Sequence, residues 1–138
     1  MDTISVQVRV NAPLHIVWSF WVDPDHIVNW NSASDDWHTT SAINDLWVGG
    51  HFTYQMNAKD GNDGFRFEGV YDKIVQNKEI DYTIMDGRKV KVRFRTVDHN
   101  TEITETIEPE NENSHETQRR GWQAILNRFK YYVEINQK

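Results

Sequence analysis

Glu105 is the residue whose type and position combine most directly into chemistry. It sits in Ile103-Thr104-Glu105-Thr106-Ile107, where apolar residues flank it two positions away on either side. Period-two spacing puts its carboxyl on the face that the isoleucines bury. A buried carboxylate without partners is expensive, so Glu105 must be hydrogen-bonded inside the protein or meet water in a cavity, unless a bulge or strand end lets it escape to solvent. In a cavity it would be the polar anchor of an otherwise apolar pocket, the usual make-up of a small-molecule site. A raised pKa there would also suit it to general acid or base work.

A second group of candidates lies in Trp30-Asn31-Ser32-Ala33-Ser34-Asp35-Asp36-Trp37-His38. An Asp36–His38 pair could orient an imidazole for base catalysis. No motif places a Ser or Cys nucleophile beside it, so packing of Trp30 and Trp37 is the expected role and no catalytic residue is assigned. His15, His26, His38, His51, His99 and His115 form neither His-x-His nor His-Glu-x-x-His, and no metal site is expected. Asp60 to Glu68 superficially resembles a calcium loop, but Gly64 occupies the fifth position, where a ligand belongs, and Phe65 stands where glycine is required. A hairpin turn is expected instead. Gly49-Gly50 lacks the lysine and the following helix of a phosphate loop, and no cofactor is expected.

The elements that must position these residues follow from spacing. Ile4, Val6, Val8 and Val10 alternate with polar residues as a strand. Asn11 is a candidate cap and Pro13 suits a first helical turn, so a short helix is predicted over 13–21. Asp23-Pro24 starts a second, to about Trp30. A strand is predicted from Trp37 to Ile43, then strands around Phe52-Tyr54-Met56 and Phe65-Phe67-Gly69-Tyr71, with Gly69 marking a bulge or bend. Ile80, Tyr82 and Ile84 face the same side as Val90, Val92 and Phe94 only if the loop between them is odd-numbered, which predicts a three-residue loop, Asp86-Gly87-Arg88. A two-residue loop at His99-Asn100 follows. Lys89, Lys91, Arg93 and Arg95 then form a solvated outer face beside Thr104, Thr106 and Glu108. Ser114 or Asn113 can cap a final helix over about 115–135. It would be about 30 Å long, with Gln118, Trp122, Ile125, Phe129, Tyr132 and Val133 on one face.

The predicted architecture is α+β, a helix-grip: a curved antiparallel sheet of about seven strands wraps a long C-terminal helix, with two short helices after strand 1, in a single domain spanning 1–138. Trp30, Trp37, Tyr54, Phe67, Tyr82, Phe94, Glu105, Trp122 and Phe129 are the expected pocket residues between helix and sheet. With 138 residues, six Trp, five Tyr, six Phe and a net charge of −6, the chain can build one core and would be repelled by DNA or an anionic membrane. There is no Cys, which removes disulfides and thiol chemistry. The first residues have no basic start or long apolar run, so no signal peptide is expected, and no stretch approaches a membrane span. A soluble, cytoplasmic protein is the expectation, and its oligomeric state is not legible.

Asn11-Ala12-Pro13 before Val17-Trp18, then Pro24 to Trp30, resembles the opening of the START-like SRPBCC superfamily. Val48-Gly49-Gly50-His51-Phe52, Phe67-Glu68-Gly69-Val70-Tyr71 and Gly121-Trp122-Gln123-Ala124-Ile125-Leu126 resemble its branch named for homologues of the activator of heat-shock protein 90 ATPase. The likeness runs along essentially the whole chain, in the same order. It implies the helix-grip fold and three functional readings: binding of a small apolar or aromatic ligand, a cyclase- or hydrolase-type enzyme using Glu105 or the Asp36–His38 region, or a chaperone-linked interaction module. The eukaryotic activators resemble this chain in their C-terminal domain, and the N-terminal domain by which they dock on the chaperone has no counterpart among these residues. Ligand binding is therefore the leading expectation.

Overall fold

The computed structural model describes residues 2–137. The chain runs β1 (Ile4–Val10), α1 (Leu14–Val22), α2 (Pro24–Trp30), β2 (Trp37–Asn44), β3 (His51–Ala58), β4 (Gly64–Val75), β5 (Glu79–Ile84), β6 (Lys89–Val97), β7 (Asn100–Ile107) and α3 (His115–Asn136). All seven strands form one antiparallel sheet in the order β1-β7-β6-β5-β4-β3-β2. From β2 to β7 each strand pairs with the next in sequence, and β1 returns to close the far edge. The helices α1 and α2 span the gap between β1 and β2, so the curled sheet has a floor at one end. Among the described residues, no helix is long and apolar enough to cross a membrane.

Alternation sorts the faces as predicted. Ile80, Tyr82, Ile84, Val90, Val92, Phe94, Ile103 and Ile107 are all buried inside the curl. Outside it, Arg93 reaches Glu79 at 3.2 Å and Asp81 at 2.6 Å, and Arg95 reaches Glu102 at 2.7 Å. These partly solvated pairs are worth about 0.2–1 kcal/mol each.

Loop positions differ from the sequence reading while parity holds. Thr83 pairs with Lys89 and the Ile84 amide donates to the Arg88 carbonyl. The three-residue loop is thus Met85-Asp86-Gly87, one position earlier than predicted. Gly87, at φ 96°, takes the left-handed place that closes a three-residue hairpin. Between β6 and β7, Val97 pairs with Asn100, and the two-residue turn is Asp98-His99 rather than His99-Asn100. Both turn residues have positive φ, 50° and 72°, as the tightly twisted two-residue turn requires. This shift moves the register by two and sets Val92 opposite Glu105.

Gly69 is not the predicted bulge. It pairs in register with Phe52 and Ile84, and β4 slips instead between Tyr71 and Lys73. A Cβ on Gly69 would lie 2.6 Å from two ring carbons of Phe52 and 2.8 Å from the Thr83 carbonyl oxygen. Glycine is there to admit the Phe52 ring against the strand. Asn11 does not cap α1 either: Pro13 holds the capping position and no side chain bonds the first turn. At α2, Asp23 accepts from the Asp25 amide at 2.9 Å, and of the two caps expected for α3 it is Ser114 that serves, accepting from the Thr117 amide at 3.1 Å.

Candidate functional site

The backbone of α3 approaches β1 most closely, then α2 and α1, and has no comparable approach to β3, β4 or β5. Along its second half, Leu126, Phe129 and Val133 are fully buried, closing the core against α1, α2 and β1. Its first half stands away from the middle of the sheet, leaving a cavity of about 420 Å³. Trp30, Trp37, Tyr54, Phe67, Tyr82, Glu105 and Trp122, seven of the expected pocket residues, line this cavity.

Phe94 and Phe129 do not line it, and their assignment is corrected. Phe94 lies under α1, with Trp18 and Trp21 at ring-centroid distances of 5.2 and 5.6 Å. Phe129 is two helical turns beyond Trp122, wedged edge-on against Trp21 at 4.9 Å and Trp30 at 4.8 Å. Periodicity assigned both to the inner face but carried no information about depth along the cleft.

Glu105 is 4% exposed. Val6 and Val92 flank it across the sheet, and Ile80 lies beyond Val92, so it interrupts an apolar row. Burial alone pushes its pKa from 4.5 up to about 8, with no compensating hydrogen bond or charge. No buried polar atom among the described residues is both sealed off and unpaired. The carboxyl therefore keeps some access to the cavity that it lines. At neutral pH it is mostly a protonated acid, able to donate one hydrogen bond and accept others. Tyr82 stands near enough that Glu105 raises its pKa further, after burial, the larger cause.

The remaining polar groups around the cavity are mostly tied to the protein. Tyr71 donates to Asn44 Oδ1, and Asn44 donates to the Val22 carbonyl at 2.7 Å. Burial pushes the Tyr71 phenol up to about 12. Trp30 donates to the Phe20 carbonyl at 3.0 Å, leaving its apolar body for the cavity. Gln118 donates to the carbonyls of Glu110 and Asn113 at 3.1 and 2.8 Å and accepts from the Glu110 amide at 2.8 Å, pinning the connector before α3. Sequence reasoning assigned Gln118 to the inner face without finding this clamp, because both partners are main-chain groups. Asp35 reaches Arg128 at 2.8 Å and ties the α2–β2 loop to α3, and the guanidinium lowers the Asp35 pKa.

Several lining residues were not anticipated, chiefly Trp21, Phe52, Met56, Tyr71 and Gly121. Gly121 carried a signal, since an exposed mid-helix glycine is costly relative to alanine. It lines the cavity, and a Cβ there would meet no atom within 4 Å. Asp36 and His38 are both exposed, and no hydrogen bond joins them among the described residues. The Asp60–Gly64 segment is a turn whose carboxylates bind its own backbone: Asp60 accepts from the Asn62 amide and Asp63 from that of Gly64, both at 2.9 Å.

A curled seven-stranded sheet gripping a C-terminal helix, with a cavity between them, defines a START-like protein. The family model described as Activator of Hsp90 ATPase homolog 1-like protein matches residues 11–134, and the chain belongs to that family. It is similar to an AHSA1-like protein from Aeromonas hydrophila, with 40% identity, a TM-score of 0.92, and coverage of 97% of this chain and 93% of that one. A protein from Cytophaga hutchinsonii is 49% identical over the same shares, with a TM-score of 0.84. The Aha1 dimer from Colwellia psychrerythraea shares the fold at 16% identity, with a TM-score of 0.78 over the full length of both chains. None of the curated proteins matches the chain.

Proposed function

We propose that this protein binds a small apolar or aromatic molecule between sheet and helix, with Glu105 as polar anchor and the rings of Trp30, Trp37, Tyr54, Phe67, Tyr82 and Trp122 as walls. The observation that carries this reading is the Glu105 carboxyl, buried in an apolar row, without a partner among the described residues and bordering the cavity. A residue kept only for packing would be apolar there, because desolvating an acid costs stability that a leucine would not. The volume suits a ligand of two or three rings. A cytoplasmic location accords with this role.

The test is to titrate the protein with N-phenyl-1-naphthylamine, an apolar fluorophore, beside a Gly121→Trp variant. Gly121 lines the cavity and a Cβ there would meet no atom within 4 Å, so an indole can be accommodated at this edge of the site. Wild type is expected to bind and Gly121→Trp to lose at least about tenfold in affinity with unchanged far-UV circular dichroism. Equal binding by both, or none by wild type, would remove the reading.

The family's name supports a second reading, activation of a chaperone ATPase. Its structural counterpart would be a docking face, and Ile43, Trp47 and Val48 are each about 60% exposed around the β2–β3 connection. In that case, adding the protein to a bacterial heat-shock protein 90 would raise ATP turnover, and Trp47→Ala would remove most of the gain. No change in turnover rejects it.

A further inference from the structure

We infer that the molecule this cavity takes is an organic cation: an aromatic or alicyclic body carrying a protonated amine, whose ammonium group sits against Glu105 and the surrounding rings. The inference rests on the ligand-binding reading above and adds the charge of the ligand. Its basis is the pairing of one unpartnered carboxyl with a wall made largely of aromatic rings. Tyr82 and Phe67 meet edge to face at 6.5 Å, and Phe67 meets Trp122 at 6.1 Å. Ring faces attract cations through their quadrupoles, most strongly where water is excluded. A carboxylate in the same enclosure supplies a charge-assisted hydrogen bond. A neutral ligand would use neither.

An anionic ligand is served less well. Among the described residues the one cationic side chain lining the cavity is Arg88, and its Nε is 2.8 Å from Asp86 Oδ2. The chain as a whole carries a net charge of −6, which favours approach of cations over anions.

Proton release gives the inference a signature in the unmodified protein. Burial holds the Glu105 pKa at about 8, so at pH 7 the acid is mostly protonated. An arriving ammonium stabilises the carboxylate, lowers that pKa and expels about one proton per site. Affinity should consequently rise about tenfold from pH 6 to pH 7 and level off above the Glu105 pKa. The groups facing Glu105 do not confuse this window. Val6, Val92 and Ile80 on the neighbouring strands and Trp122 and Ile125, which line the cavity from α3, do not titrate, the Tyr82, Tyr71 and Tyr54 phenols are all pushed upward, and the other ionisable side chains at the cavity are Arg88 and Glu110.

The experiment compares 1-naphthylmethylamine, 1-naphthalenemethanol and 1-naphthoate, one ring system with three head groups, by titration calorimetry at pH 7 in phosphate and in Tris. The amine is expected to bind about tenfold or more tighter than the alcohol, with naphthoate weakest. Its heat should differ between the buffers by the amount that about one released proton requires. Glu105→Gln should lower amine affinity about tenfold and abolish the difference in heat between the two buffers. Alcohol binding as tight as amine, or amine binding without proton release, overturns the cation while leaving the ligand cavity standing. Binding by none of the three overturns both. Should Glu105→Gln fail to fold, the proton count on wild type decides alone.

Discussion

Glu105→Gln is expected to stabilise the protein by on the order of 3 kcal/mol at pH 7 and to change it little near pH 4.5. The sign follows from linkage. The carboxyl has a pKa of about 8 when folded against an ordinary 4.5, so between those values the folded state holds a proton that the unfolded chain has released. Folding is therefore unpenalised by this group below pH 4.5, loses about 1.4 kcal/mol per pH unit above it, and levels off beyond pH 8 when both states are ionised. Glutamine has nearly the same shape and no such titration. Urea unfolding of both proteins from pH 4.5 to 9 measures the difference, in which all other titrating groups cancel. A difference that stays flat with pH would mean that Glu105 is solvated and that its inward placement is wrong. Stabilisation by removing a charge is the behaviour expected of a residue retained for a site.

Phe129→Ala should cost about 3–5 kcal/mol. Its ring is fully buried and held edge-on by Trp21 and Trp30, and neither indole can collapse into the space without losing its other contacts. Phe67→Ala should cost about half as much, because that ring already borders the cavity and its loss creates no closed void. The two variants should separate in the opposite sense on ligand binding. Phe67→Ala should weaken N-phenyl-1-naphthylamine several-fold, and Phe129→Ala should leave the folded fraction binding as wild type does. Chemical denaturation and fluorescence titration of the same two preparations check both halves. Equal stability losses would show that Phe67 is packed as tightly as Phe129 and would close the cavity.

The inward placement of Glu105 was legible because a strand's side-chain period is exact: with Ile103 and Ile107 buried, position 105 has no other face. The same rule located Tyr54, Phe67 and Tyr82 and made the β5–β6 loop odd-numbered. It could not choose between loops 85–87 and 86–88, which preserve parity equally. That choice went to Gly87, and in the next hairpin to Asp98 and His99, through the backbone conformation each turn needs. On α3, helical spacing placed Trp122 and Phe129 on one face, correctly, but one borders a cavity and the other fills the core.

What the residues determined by themselves, then, is the order of elements, the face of each side chain and the presence of an acid among apolar neighbours. These are local properties, set by the periods of strand and helix and by capping and turn chemistry within a few residues. Tertiary structure alone decided that Glu105 has no partner among the described residues and that α3 leans on β1 while standing off from β3, β4 and β5. The tilt of a helix over a curled sheet depends on the summed packing of α1, α2 and the Trp21–Trp30–Phe129 cluster. No short stretch of sequence encodes that sum.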